Sequence, residues 1–145
     1  MERVLIDTNV MVIGARDYAE DKDTPGSIIL KLALKNKIKV IMNPTLLKEY
    51  HRVAVDLEGK DLAGWFRNVI MKDLSISYVD ETAIKRLMER YDGEVPSEDL
   101  PHFASCLLGG VDFLISVNRD FLKKTSKFNF RCVKPKEYLK ESDAL

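Results

Sequence analysis

Short apolar runs alternate along the chain with longer stretches in which apolar residues recur every three or four positions. The short runs are typical of buried or half-buried strands and lie at residues 4–6, 39–42, 74–79, 112–117 and 131–133. The longer stretches predict amphipathic helices at residues 25–36, 45–56, 60–71, 82–91 and 97–108, with a short helix at 119–124 and a last one from Pro135. Strands and helices that alternate in this way predict an α/β fold with a parallel sheet.

Capping residues and prolines mark where some of these helices begin. Thr24 and Pro25 suit the N-cap and the first turn of one helix, and Asn43-Pro44 ends the second strand and opens the next helix. Residues 14–24 differ from both, because they are polar, rich in Asp and Glu and without a clear period. We expect a loop or the frayed start of a helix there.

Length and charge narrow the class of protein. A chain of 145 residues suits one domain, so we expect residues 1–145 to form a single domain. The formal net charge of zero argues against a protein that coats nucleic acid by bulk electrostatics, because such affinity comes from neutralising many phosphates. A local basic rim around an acidic cleft is still compatible with this net charge. The chain has no apolar stretch of about 18 residues and no apolar region of a signal peptide, so we expect a cytoplasmic protein.

Two dense clusters of acid and amide residues, Asp7-Thr8-Asn9 and Asn118-Arg119-Asp120, each follow an apolar run. Both clusters therefore lie at the carboxyl ends of predicted strands, the edge at which open α/β sheets bind ligands. Glu49 falls in the second turn of the helix after strand two, and Asp99 falls in the first turn of a later helix. If the strands are neighbours, these carboxylates converge on one cleft.

Each of these acids also has an ordinary structural explanation. For Asp7 taken alone, we assign roughly one chance in three to a role as a cap only. Asn118 is a good cap for the helix after it. Glu49 lies between Lys48 and Arg52, a setting typical of surface ion pairs. Asp99, like Glu98, would stabilise a helix dipole. Capping does not explain why four such positions all fall at or just after strand ends. Oxygen ligands of this kind suit Mg²⁺ or Mn²⁺, the ions of in-line phosphodiester chemistry.

Other residues with reactive side chains match no motif. His51 and His102 are the only histidines, and we interpret both as surface or partly buried residues; His102 follows Asp99 by three positions, which leaves a minor role in the site open. Cys106 and Cys132 lack the spacing of metal ligands and are interpreted as reduced packing residues. Gly109-Gly110 closes a helix and is not a phosphate-binding loop.

Four motifs together resemble the PIN (PilT N-terminal) domain ribonucleases. They are Leu5-Ile6-Asp7-Thr8-Asn9-Val10, Asn43-Pro44-x-x-Leu47-x-Glu49, Asp99-x-x-His102-Phe103-Ala104-x-Cys106, and the run from Gly110 through Ser116-x-Asn118-Arg119-Asp120 to Phe121. The resemblance extends from Val4 to about Val133 and depends on the order and spacing of all four motifs.

The resemblance implies a three-layer α/β/α sandwich around a mainly parallel sheet, an acidic pocket that holds Mg²⁺ or Mn²⁺, and hydrolysis of RNA. Asp7, Glu49 and Asp99 match the first three acidic positions of the family. The fourth falls on Asn118, where many members carry Asp, and Asp120 is a candidate to compensate or to cap the short helix. Ser116 resembles the hydroxyl residue beside the pocket. Thr8 is a second candidate for that role, and Thr8 and Asn9 either orient the carboxylate of Asp7 or are turn residues.

Basic residues near the proposed edge are candidates for contact with the RNA backbone, or are ordinary surface residues: Lys48, Arg52, Arg119 and Lys123. The resemblance leaves open whether the chain is the toxin of a toxin–antitoxin pair, with a small antitoxin protein as its partner, or a stand-alone endonuclease. A degenerate PIN domain that binds RNA or protein without cutting is the alternative, which Asn118 favours. Members of the family commonly pair, so a homodimer is expected; Trp65 and Phe66 are candidates for its seam, and packing against the core explains them equally well.

Overall fold

The computed structural model describes residues 1–125 and 128–145, with side chains at all of these positions except 70, 71, 124 and 125. Its centre is a sheet of five parallel strands in the order β3-β2-β1-β4-β5. The strands are β1 Glu2–Ile6, β2 Ile38–Met42, β3 Ile76–Tyr78, β4 Phe113–Ile115 and β5 Arg131–Val133. The prediction of an α/β fold with a parallel sheet is confirmed.

Helices flank this sheet and make the three-layer α/β/α sandwich that the resemblance implies. In the described part of the chain they are α1 Thr8–Ala19, α2 Pro25–Leu34, α3 Pro44–Glu58, α4 Lys60–Lys72, α5 Glu81–Arg90, α6 Leu100–Leu108, α7 Arg119–Thr125 and α8 Pro135–Glu141. All the helices predicted from periodicity are present, with ends that differ by a few residues. Residues 126–127, between α7 and β5, lie outside the described residues.

The predicted loop at residues 14–24 is wrong over its first part. Helix α1 continues to Ala19, with Asp7 as its N-cap. The period was hidden by Asp17, an acid that lies on the inner side of the helix and is 5% exposed. Its carboxylate is satisfied there, because Thr24 donates a hydrogen bond of 2.9 Å to Oδ2 and the Arg16 guanidinium lies 3.2 Å from Oδ1. A buried acid with local partners therefore looks like a solvated one in the sequence.

Two glycines let α1 and α2 pack closely. A Cβ atom added to Gly14 would lie 2.7 Å from the carbonyl oxygen of Gly26, closer than such atoms approach in folded proteins. Thr24 caps α2, with its hydroxyl accepting from the Ser27 amide at 3.3 Å and its own amide donating to the Ser27 hydroxyl at 2.9 Å. The turn between the two helices is thereby fixed.

The core is built on the central strand. Val4, Leu5 and Ile6 of β1 are at most 1% exposed, as expected of a parallel strand covered on both faces. Cys106 is buried and Cys132 is partly buried, and both are free thiols, as predicted. Burial raises the pKa of the Cys106 thiol well above its ordinary value.

The two aromatic residues considered for a dimer seam differ in exposure. Phe66 is 3% exposed and stacks on Tyr50 with ring centroids 6.1 Å apart, so of its two interpretations the structure supports packing against the core. Trp65 is 37% exposed and stacks on Tyr18. Among the described residues, no helix combines the length and apolar character needed to cross a membrane.

Candidate metal centre

Asp7 follows β1, the strand at which the order of the strands in the sheet changes direction. Strand β1 has β2 on one side and β4 on the other, so the crevice at the carboxyl ends of β1 and β4 is a topological switch point. The Asp7 amide donates to the carbonyl of Ile115, at 2.9 Å, which fixes the two strand ends together. The Asp7 carboxylate accepts from the Thr8 amide at 2.9 Å through Oδ1 and from the Ser116 hydroxyl at 2.6 Å through Oδ2.

Helix α3 brings Glu49 to the same crevice. Asn43 caps this helix by accepting from the Leu46 amide, and the Tyr50 hydroxyl donates to the carbonyl of Ile6 at the end of β1. Glu49 is thus anchored beside Asp7. Its Oε1 accepts from the Thr8 hydroxyl at 2.5 Å, and its Oε2 lies 3.0 Å from Nε2 of His102. The hydrogen bond with His102, and to a lesser degree that with Thr8, lowers the pKa of Glu49 despite its partial burial.

Asp99 is the N-cap residue of α6, but its side chain makes no capping hydrogen bond. The residue is 8% exposed, and its Oδ2 atom is buried without a hydrogen-bond partner among the described residues. Burial, followed by repulsion from the Asp7 carboxylate, raises the pKa of Asp99 to about 6. A contribution to the helix dipole is compatible with this position, and the buried Oδ2 atom in addition lacks the partner that a charged oxygen needs when it leaves water.

Helix α6 is held against β2 and α3 by close contacts. The Asn43 side-chain amide donates to the Ser105 hydroxyl at 2.7 Å, and a Cβ atom added to Gly109 would lie 2.7 Å from the Ile41 side chain. This packing fixes the position from which Asp99 and His102 face the crevice.

His102 was interpreted from the sequence as a surface or partly buried residue with at most a minor role in the site, but the structure buries it against Glu49. It is 1% exposed, and it forms with Asp7 and Glu49 a group whose ligand atoms all lie within 4.8 Å of one another. The spacing of three residues from Asp99 on one helix was the only signal in the sequence. The contact with Glu49 crosses 53 positions and depends on the packing of α6 against α3.

The cluster after β4 contributes less to the crevice than the sequence suggested. Asn118 is exposed and caps α7, because its Oδ1 accepts from the Phe121 amide at 3.2 Å, and its own amide donates to the Ser116 hydroxyl at 3.1 Å. Asp120 is exposed in the first turn of α7. Asn9 is exposed in the first turn of α1, whereas Thr8 and Ser116 are buried and contact the carboxylates.

The four basic residues predicted to meet RNA are all exposed: Lys48, Arg52, Arg119 and Lys123. Arg52 is close enough to the site for its charge to contribute to the lowered pKa of Glu49, and its guanidinium lies 3.8 Å from Asp56.

A groove of about 320 Å³ separates α3 from α4. Its floor is apolar, with Leu47, Ala54 and Phe66 among its residues, and Lys48, Arg52 and Arg67 lie around it. Glu49 does not line this groove. Lys48 and Arg52 therefore line the groove and also belong to α3, the helix that carries Glu49.

The donor set fits a divalent cation. One ligand atom each from two carboxylates and one imidazole lie within 4.8 Å of one another, and a third buried carboxylate has an oxygen without a partner among the described residues. Carboxylates suit Mg²⁺ and Mn²⁺, and a cation would offset the burial and the repulsion that raise the pKa of Asp99 to about 6.

Comparison with known proteins agrees with the geometry. The model of a family described as the PIN domain matches residues 3–120, a range that includes β1 to β4 and every carboxylate discussed above. None of the curated proteins matches the chain. Because the match covers most of the chain and the sheet is parallel throughout, the chain belongs to the PIN domain family and has its nuclease fold.

Proposed function

We propose that the protein is an endoribonuclease that hydrolyses RNA phosphodiester bonds with Mg²⁺ or Mn²⁺, and that residues 1–145 act as a single nuclease domain. The observation that carries the proposal is the buried Asp99 oxygen without a partner, placed beside Asp7 and Glu49. Three carboxylates at the carboxyl ends of the strands repel one another, which destabilises the metal-free protein. A bound cation would offset this repulsion. A structural cap would have no need of this arrangement.

The proposed ligands are Asp7, Glu49 and Asp99, with Asn118 at the fourth position through its carbonyl oxygen. A bound divalent cation supplies a Lewis acid beside the phosphate and lowers the pKa of a coordinated water. Thr8 and Ser116 hold the Glu49 and Asp7 carboxylates by direct hydrogen bonds, so the acids are oriented before a ligand arrives. Asp120 adds negative charge near the rim, and Asn9 lies in the first turn of α1, the helix that begins at Thr8.

The RNA backbone is proposed to run along the exposed cations of α3 and α7, namely Lys48, Arg52, Arg119 and Lys123. The net charge of zero means that affinity depends on such local contacts and falls with added salt. These basic residues would position the RNA strand, and the carboxylates would hold the cation at one phosphate.

The test is cleavage of a mixture of single-stranded and structured RNAs with Mn²⁺ or Mg²⁺. We expect the parent protein to cut and Asp7→Asn to lose the activity. Asp61→Asn is the matched control, because it removes one exposed carboxylate at the start of α4, outside the site. Equal cleavage by the parent and Asp7→Asn, or cleavage that persists in EDTA, contradicts the proposal.

A second candidate function is a PIN domain that binds RNA or protein without cutting. Two observations favour it: the fourth acidic position holds an amide, which is used as a helix cap, and an apolar groove lies beside the site. RNA binding by the parent without cleavage, in the presence of either ion, would support this function in place of the first.

Within the nuclease proposal, we favour the toxin of a toxin–antitoxin pair over a stand-alone enzyme. An apolar groove with basic residues around it suits an acidic segment of a small antitoxin protein. Expression should arrest growth, and co-expression of the product of a small gene directly upstream should restore it. Growth arrest by Asp7→Asn as well would contradict a toxic cleavage activity.

Two further features of the proposal concern location and assembly. We propose that the protein acts in the cytoplasm and forms a homodimer, with Trp65 rather than Phe66 at the seam, since Trp65 is 37% exposed. Sedimentation of the parent and Trp65→Ser measures the assembly. A monomeric parent protein at high concentration contradicts it.

A further inference from the structure

His102 occupies an unusual place for a residue with no assigned role. It is 1% exposed, and it lies among three carboxylates on the inner side of α6. We propose that Nε2 of His102 is a direct ligand of the divalent cation, so that the centre is a mixed carboxylate–imidazole site that selects Mn²⁺ over Mg²⁺. This inference rests on the metal site of the proposed function, and it adds the ligand that decides which ion binds.

The distances fit a ligand pair. Nε2 of His102 and Oε2 of Glu49 are 3.0 Å apart. Adjacent ligands of an octahedral ion, at about 2.1 Å from it, are separated by about 3.0 Å. One ligand atom from each of Asp7, Glu49 and His102 lies within 4.8 Å of the other two, so one ion can reach all three residues after small side-chain rotations.

Coordination requires the imidazole ring to carry its proton on the other nitrogen. A carboxylate accepts hydrogen bonds, so in the metal-free protein Nε2 carries the ring proton and donates a hydrogen bond to Glu49. Nδ1 is buried without a hydrogen-bond partner among the described residues. An unpaired lone pair at such a place costs less free energy than an unpaired N–H group. When Nε2 binds the cation it gives up this proton and Nδ1 takes one up, so the ring stays neutral. Nδ1 then becomes a buried donor without a partner among the described residues, a cost that the bond to the cation has to offset.

The choice of ion follows from ligand chemistry. Mg²⁺ is a hard ion that takes oxygen ligands and keeps its waters, whereas imidazole nitrogen binds transition-metal ions more strongly. Mn²⁺ accepts both carboxylate oxygen and imidazole nitrogen. Burial holds the His102 ring in place, so little side-chain entropy is lost when the nitrogen coordinates.

A spectroscopic test of RNA-free protein separates a ligand from a neighbour. Mn²⁺ bound to an imidazole nitrogen shows a ¹⁴N coupling in electron spin-echo envelope modulation, and a histidine that only donates to Glu49 does not. We expect this coupling in the parent protein, and its loss in His102→Gln, whose side-chain amide still donates to Glu49. Mn²⁺ bound to the parent without ¹⁴N coupling overturns the inference.

The chain offers a matched control, because its only other histidine is His51, an exposed residue of α3. His51→Gln should keep the coupling, and loss of the coupling in His51→Gln overturns the assignment to His102. This control identifies the ligand even if His102→Gln does not fold. If His102→Gln folds, we expect its preference for Mn²⁺ over Mg²⁺ in competition titration to fall by roughly tenfold or more. An unchanged preference in that variant overturns the inference.

The failure of this inference and that of the proposed function are distinguishable. RNA cleavage without ¹⁴N coupling removes His102 from the ligand set and leaves the ribonuclease proposal in place. Coupling without cleavage of any RNA supports the ligand and counts against the ribonuclease. A parent protein that binds no Mn²⁺ contradicts both.

Discussion

Ser116, at the end of β4, donates a hydrogen bond of 2.6 Å to the carboxylate of Asp7, at the end of β1, across 109 positions of the sequence. The same hydroxyl accepts from the amide of Asn118 at 3.1 Å. One buried side chain thus connects the most central acid of the crevice with the cluster after β4.

Replacing Ser116 with Ala should weaken metal binding without removing a ligand. The Asp7 carboxylate would lose a hydrogen bond that orients it, and such losses typically reduce metal affinity or activity by about 10–100-fold. Calorimetric titration of Mn²⁺ measures the change. Ser27→Ala is the control, because it also removes a buried hydroxyl, but one in α2 that donates to the carbonyl of Lys22, away from the acids. Equal Mn²⁺ affinity in Ser116→Ala and the parent contradicts the orienting role.

Asp99 should make the metal-free protein less stable as the pH rises. Its pKa is about 6 in the folded protein against 3.8 ordinarily, so between these values the folded state binds more protons than the unfolded chain. The free energy of unfolding therefore falls from about pH 4 to about pH 6, by at most about 3 kcal/mol.

The variant Asp99→Asn removes this loss and should unfold at a higher temperature than the parent near neutral pH, in EDTA, while losing Mn²⁺ affinity. Thermal unfolding at about pH 4 and about pH 7 measures the difference. Asp61→Asn, at an exposed position, should keep the dependence of the parent. A dependence on pH in Asp99→Asn as steep as that of the parent would show that another group causes it.

Adding a carboxylate at position 118 should strengthen the site. Asn118→Asp keeps an oxygen that can accept from the Phe121 amide, so α7 stays capped. The added negative charge should raise Mn²⁺ affinity several-fold or add a second ion, and calorimetry gives both the affinity and the stoichiometry. Unchanged binding would mean that position 118 lies too far out to act as a ligand.

The role of Asp120 is tested by Asp120→Asn. This carboxylate is exposed, and solvent screens exposed charges, so we expect RNA cleavage to fall by less than about tenfold. Cleavage rates with Mn²⁺ measure this effect. A loss as complete as that of Asp7→Asn would place Asp120 among the essential acids.

Two glycines in helices should respond to Ala in opposite directions. Gly14→Ala places a Cβ atom 2.7 Å from the Gly26 carbonyl oxygen, and such overpacking costs about 1–3 kcal/mol. Gly64, in α4, has no atom within 4 Å of the added Cβ, so Gly64→Ala should stabilise the protein by about 0.5–1 kcal/mol. Urea unfolding measures both free energies. A stable Gly14→Ala variant would mean that α1 and α2 can separate at low cost.

Local sequence was sufficient for most of the secondary structure. The strand positions followed from short apolar runs, Thr24 was identified as the cap of α2, and Asn43-Pro44 was identified as the point where the helix α3 opens. These features depend on neighbours along the chain. Helix α1 was missed in part because Asp17, an inward acid, interrupted the apolar period, and its partner Thr24 belongs to the next helix.

The sequence by itself determined that Asp7 lies at the end of a buried strand and that acids follow several strand ends, because apolar runs and their termini are local features. Only the tertiary structure decided which side chains meet. The pairing of Glu49 with His102 and the Asp99 oxygen without a partner in the described part of the chain depend on strand order and helix packing. The cap formed by Asn118 is a local contact, and the sequence had indicated it. A contact between residues on different elements has no local pattern, since it is set by the register of β1 with β4 and by how α3 and α6 pack.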